Sequence, residues 1–142
     1  GSSMSIRVLL ASADPQNLDV QHMLLEASSA LVCFEIETAA VGDVEALWAR
    51  VEAERDDVIL LDWGLVAAQT PELVRALLAS KPRLRIVALL PQGYRQYRER
   101  VWEAGACSSI PQEHMDQEWL SSILCVMQRA MQREATLLQA MN

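Results

Sequence analysis

Short, continuous apolar runs alternate along this chain with longer stretches whose apolar residues recur every three or four positions. The first run, "IRVLLA" (6–11), is bounded by a polar turn, as in a strand buried on both faces. In the following "ADP", Asp14 suits a helix N-cap and Pro15 the first helical position. Val20, Leu24 and Ala27 then recur at helical spacing, flanked by Leu18 and Leu25. "LVCFEIET" (31–38) predicts a second strand, and a helix starting at Gly42-Asp43 carries Val44, Leu47, Trp48 and Val51. The third strand, "DVILLD" (57–62), stops abruptly on a carboxylate. Thr70-Pro71-Glu72 predicts the next helix, with Thr70 as N-cap and Leu73, Val74, Leu77 and Leu78 as its apolar face. "IVALL" (86–90) is the fourth predicted strand, broken by Pro91-Gln92-Gly93. A helix from about residue 94 ends at Gly105, "ACSSI" (106–110) forms a short fifth strand, and a long helix runs from about residue 116.

Five strands alternating with five helices imply a parallel sheet, because a parallel crossover is naturally made by a helix. The expected fold is an α/β, flavodoxin-like, doubly wound (βα)5 domain with an extended last helix. In such sheets ligands and chemistry gather outside the carboxyl ends of the strands. Asp62 stands at one of those ends.

Bulk properties narrow the function. A chain of 142 residues, 51% hydrophobic, suits one folded domain. Net charge is −7, which argues against direct binding to nucleic acid and favours protein partners or a small ligand. Cys33, Cys107 and Cys125 lack metal-ligand spacing and read as small buried hydrophobes in a reducing compartment. No leader-like segment or membrane-length apolar run is legible, so a cytoplasmic setting is expected. Gly1-Ser2-Ser3 before Met4 read as a cloning remnant. There is no phosphate-binding glycine motif and no nucleophile–base pair, so no cofactor and no catalysis on a free substrate are expected.

Three segments, in order and at suitable separations, carry a resemblance: "IRVLLASADP", "DVILLDWGL" and "WEAGA" (102–106). Together they resemble the first strand and acidic turn, the third strand, and the turn into the fifth strand of the receiver domain of bacterial response regulators. The resemblance covers about residues 6–128. It implies that Asp62 stands where receivers accept a phosphoryl group. The acidic pair that holds magnesium in receivers is matched by Ser12 and Ala13, with Asp14 one residue late. Leu90 stands at the hydroxyl position, Gln112 at the lysine position and Ser109 at the aromatic switch. Phosphoryl transfer rests on electrostatic stabilisation, so these replacements imply a dismantled site, a pseudo-receiver. Two alternatives stand beside it. Asp62 could still serve a phosphorelay with Asp14 in place of the metal pair, or a vacated pocket near Ser12, Asp62 and Leu90 could hold a small ligand.

Two surfaces are expected to meet protein partners. "GYRQYRERVW" gathers Arg95, Arg98 and Trp102 on the fourth helix, beside Ser109, while Tyr97, Val101 and Ala104 would point inward. The last helix carries two apolar stripes, roughly 100° apart on the helical wheel. Trp119, Ile123, Val126 and Ala130 form the one expected to face the sheet. Leu120, Leu124, Met127, Met131, Leu138 and Met141 form a heptad-like second stripe, broken by Glu134 and assigned to a homodimer. The corresponding division is a receiver-like domain over 4–128 and a protruding extension over 129–142.

Overall fold

The structure is a computed structural model that describes residues 5–141. Its strands are β1 (Ser5–Ala11), β2 (Glu35–Val41), β3 (Val58–Asp62), β4 (Arg85–Leu90) and β5 (Ser108–Pro111). They alternate with helices α1 (Pro15–Ser29), α2 (Val44–Glu52), α3 (Thr70–Ser80), α4 (Arg95–Glu103) and α5 (Gln117–Met141). All pairings are parallel and the strand order is β2-β1-β3-β4-β5. This is the flavodoxin-like order, with its switch point between β1 and β3. Gly1, Ser2, Ser3 and Met4 lie outside the described residues.

Strand alternation divides the core. Leu9, Ala11, Ile59, Leu61, Ile86, Ala88 and Leu90 face α2, α3 and α4. Ile6, Val8, Leu10, Val58, Leu60, Val87 and Leu89 face α1 and α5. Because β3 is buried along its whole length, its side chains cannot show the half-polar alternation of an edge strand. Gly105 is required after α4: its φ is +112°, and an added Cβ would lie 2.5 Å from Leu78 Cδ1.

Several boundaries differ from the expected ones. β2 begins at Glu35, because residues 31–34 are used to turn from α1 into register with β1, where Ser5 meets Glu35. Thr70 is not an N-cap; it lies inside α3 and its hydroxyl donates to the Ala67 carbonyl, with Gln69 at the cap. β5 starts two residues late, since the Ala106 amide closes α4 on Val101. The three cysteines are exposed rather than buried, on the loops before β2 and β5 and on the outer face of α5.

Both outer helices sit at a different rotation from the one expected. In α1 the buried line is Gln21, Leu25 and Ser28, whereas Val20 is exposed. In α5 the centre of burial shifts: Leu120, Leu124 and Met127 are buried against the sheet, Trp119 and Ile123 are half-buried on the same core, and Val126 is 69% exposed. Leu120, Leu124 and Met127 are therefore core residues and not a dimer surface. The cause is lateral packing. α5 must cover the sheet and touch α1 together, so its buried arc runs from Leu120 and Leu124 round to Ser121 and Gln128. Met131 still packs on this core, and Glu134 pairs with Arg85 at the start of β4, so contact with the body continues past residue 128. At about 1.5 Å per residue, α5 spans about 37 Å and outruns the strands.

Candidate functional site at the carboxyl ends of the strands

The site is built where β1 and β3 end side by side. Ala11 pairs with Leu61, so the next residues along, Ser12 and Asp62, become neighbours although 50 positions separate them. The Ser12 hydroxyl donates to Asp62 Oδ2 at 2.6 Å and accepts the Asp14 amide at 3.2 Å. Asn17, in the first turn of α1, donates from Nδ2 to the same Oδ2 at 2.9 Å. The Gly64 amide donates to Oδ1 at 3.2 Å, turning the chain into a short 3-10 turn over Trp63–Leu65. Asp62 is only 3% exposed, so both oxygens of a buried carboxylate are held by neutral donors. A buried acid without such partners would be costly; these three hydrogen bonds offset its desolvation.

The other positions are dispersed. Ala13 is exposed on the turn. Asp14 is exposed, and its Oδ1 accepts the Gln16 amide at 2.9 Å, the ordinary N-cap bond. Leu90 is buried in the core beneath α2, α3 and α4. Gln112 opens the 3-10 turn after β5 and is half-buried. Magnesium, implied by the receiver resemblance, does not fit this donor set. A hard divalent cation needs about six oxygen ligands, whereas here one carboxylate is occupied by three donors and Asp14, on the turn after β1, is capping a helix. Among the described residues, no three His, Cys, Asp or Glu side chains are grouped to hold a metal. Ser12, Asp62 and Leu90, the residues of the alternative small-ligand pocket, are all buried. A cleft of about 680 Å³ opens at the opposite end of the sheet, between Arg83, Leu84 and Leu138.

Beside the site lies an aromatic cluster. The Trp63 ring stands edge-on to Tyr97 at 4.5 Å and to Tyr94 at 5.3 Å, and the Arg100 guanidinium lies over Tyr97 at 5.3 Å. Further along α4, Arg98 ties the helix to β5: its Nε donates to Ser109 Oγ and its Nη2 to the Ser109 carbonyl, each at 3.2 Å. Arg95 and Trp102 face solvent. Tyr97 is half-buried and Val101 and Ala104 are buried, as the amphipathic pattern predicts.

Asn17 and the Gly64 amide were not legible as parts of the site. A trace of Asn17 exists in the sequence, since Asn17, Gln21, Leu25 and Ser28 are spaced four, four and three along α1. Their polar members hide that line from a hydrophobic pattern.

No family model and no curated protein matches the chain. Solved structures match its fold. A two-component response regulator from Clostridium difficile superposes with a TM-score of 0.74 at 16% identity, over 89% of this chain and 98% of that one. The receiver domain of a sensor histidine kinase from Pseudomonas aeruginosa, with a magnesium ion in its active-site cleft, gives 0.68 at 23% identity, over 88% and 96%. A pilus assembly-related protein from Burkholderia pseudomallei gives 0.72 at 16% identity, over 91% and 92%. The architecture is thus the receiver fold, a five-stranded parallel sheet with five helices. Among the described residues no helix is long and apolar enough to cross a membrane.

Proposed function

We propose that the protein is a non-catalytic signalling module, a pseudo-receiver that works through protein contacts and self-association without conventional phosphorylation of Asp62. The observation that carries this reading is the state of the Asp62 carboxylate. It is buried, and Ser12, Asn17 and Gly64 donate to its oxygens where receivers are expected to place a metal ion. A phosphoryl acceptor needs an accessible oxygen and positive charge around the transferring group. Leu90 cannot donate a hydrogen bond, and Gln112 brings no charge. Two-component signalling is the role that the fold neighbours support, and the bacterial cytoplasm is the setting assigned in this reading.

Contacts with protein partners are assigned to the α4–β5 face and to the last helix, through which the protein forms a homodimer. Arg98 and Ser109 fix the geometry of the first face, and Arg95 and Trp102 project from it. Neither nucleic acid nor a membrane is a partner in this reading, in keeping with the net charge of −7.

The test uses Trp63 as a reporter beside Asp62. Magnesium with beryllium fluoride or acetyl phosphate should leave tryptophan fluorescence and intact mass unchanged, in wild type and Asp62→Asn alike. A mass gain or fluorescence change confined to the wild type would establish the competing phosphoacceptor reading. Rebuilding the receiver pattern with Ser12→Asp, Ala13→Asp, Leu90→Thr and Gln112→Lys should bring the response back.

A further inference from the structure

α5 carries a second, more regular apolar seam, half-buried on the body at Trp119 and Ile123 and exposed at Val126 and Leu137. Trp119, Ile123, Val126, Ala130, Arg133, Leu137 and Ala140 are separated by four, three, four, three, four and three residues. That is an unbroken heptad alternation with one polar member, and Arg133 can carry its charge outward on a long apolar stem. The seam runs along the body-packed part of α5 and onto its overhang. Val126 is 69% and Leu137 64% exposed, with Met141 beside the seam at 81%. A period of 3.5 selects another helix as the occupant, since only a supercoiled helix keeps such a seam in continuous contact.

Charge selects which helix. With Ile123, Ala130 and Leu137 at the a positions, Arg129 falls at g and Glu134 at e. In a parallel pair, g of one helix faces the e position five residues later on the other. Arg129 would therefore meet Glu134 of a second copy. Glu134 keeps 42% of its side chain exposed while paired with Arg85, leaving it accessible to a further cation. An antiparallel pair centred on Ala130 would instead bring Arg129 towards Arg129.

We infer that a second copy of this chain docks along the Trp119–Ile123–Val126–Ala130–Leu137 seam as a parallel helix pair, registered by Arg129 against Glu134. This rests on the self-association reading above and moves it from the buried Leu120 stripe to the seam that is exposed at Val126 and Leu137.

The experiment is light scattering of the full chain at high micromolar concentration, for wild type and for Val126→Glu/Leu137→Glu. Both sites are exposed, so circular dichroism should show the double variant folded. Wild type should have twice the mass of the chain, and the variant a halved mass. Orientation is read from Leu137→Cys after Cys33→Ser, Cys107→Ser and Cys125→Ser, all at exposed sites. Oxidation should link position 137 to itself, because equivalent a positions approach closely in a parallel pair, whereas an antiparallel pair centred on Ala130 places 137 against 123. A monomeric wild type overturns both the seam and self-association. A dimer that survives the double substitution overturns the seam alone. A dimer lost on substitution but never linked at position 137 overturns the parallel arrangement.

Discussion

β3 has an acid at each end, and the two are held in opposite ways. Asp57, just before the strand, accepts the Arg7 amide and Nε through Oδ2 at 2.9 and 3.2 Å, and Nη2 through Oδ1 at 2.9 Å. Asp62, the last residue of β3, meets only neutral donors. The contrast extends to the two poles of the sheet. Around the amino ends lie, among the described residues, the four ion pairs Arg7–Asp57, Arg50–Asp56, Lys81–Glu54 and Arg85–Glu134. At the carboxyl ends, where a doubly wound fold concentrates function, Asp62 sits in a quiet hydrogen-bonded turn. Those paired charges fasten loops and the last helix to the amino ends of the sheet. Asp62 ends its strand as a turn-former tying β1, α1 and the following turn together.

The comparison can be broken by removing each acid in turn. Asp57→Ala should have the largest effect, because it strips three donors of Arg7, one on the backbone and two on a guanidinium. A loss of about 2 kcal/mol in urea unfolding is expected, reduced from the value for a buried pair because Arg7 is partly exposed. Asp62→Ala should cost less, about 1 kcal/mol by the same measurement. It also relieves a desolvated carboxylate, and Asn17 is half-buried and can turn to water. A loss larger than that of Asp57→Ala would make the carboxyl pole the structural one and reverse the comparison.

Asp62→Asn sharpens the picture further. Its remaining oxygen can keep Ser12 and Asn17, while its amide meets the Gly64 N–H and loses that bond, so about 0.5 kcal/mol is expected in thermal unfolding. The smallest effect concerns pH. The Lys81 ammonium holds the Glu54 carboxyl below its ordinary value of 4.5, and Glu54 holds Lys81 above its ordinary value of 10.5, in both cases chiefly through their hydrogen bond. The Glu54 contribution is complete above its unfolded value and is lost as pH falls through the folded one. The Lys81 contribution is complete below 10.5 and is lost as pH rises through its folded value. Both groups are at the surface, so Glu54→Gln should flatten melting temperature against pH only slightly at the acid end, and salt should erase the difference.

How much of this was legible follows from where each signal lives. Asp62 could be singled out because an apolar run of strand length stops on it. Ser12 could be placed near it once the alternation of strands and helices implied a parallel sheet with both residues at carboxyl ends. The α4 pattern placed Val101 and Ala104 inward because that helix has one apolar face. α5 has two, and nothing local ranks Leu120 and Leu124 against Trp119 and Val126.

The sequence by itself determined the order of elements, the parallel sheet, the two-sided core and the uncharged side chains at Leu90 and Gln112. Those features depend on strand and helix periods and on side-chain chemistry, both of which are local. Tertiary structure alone decided the rotation of α1 and α5, since each must satisfy the sheet and its neighbour together. That rotation puts Asn17 on Asp62 and buries the Gln21 amide with neither Nε2 nor Oε1 hydrogen-bonded. It also turns Val126 outward. A helix's phase about its own axis is set by everything that touches it, and only the folded chain brings those partners together.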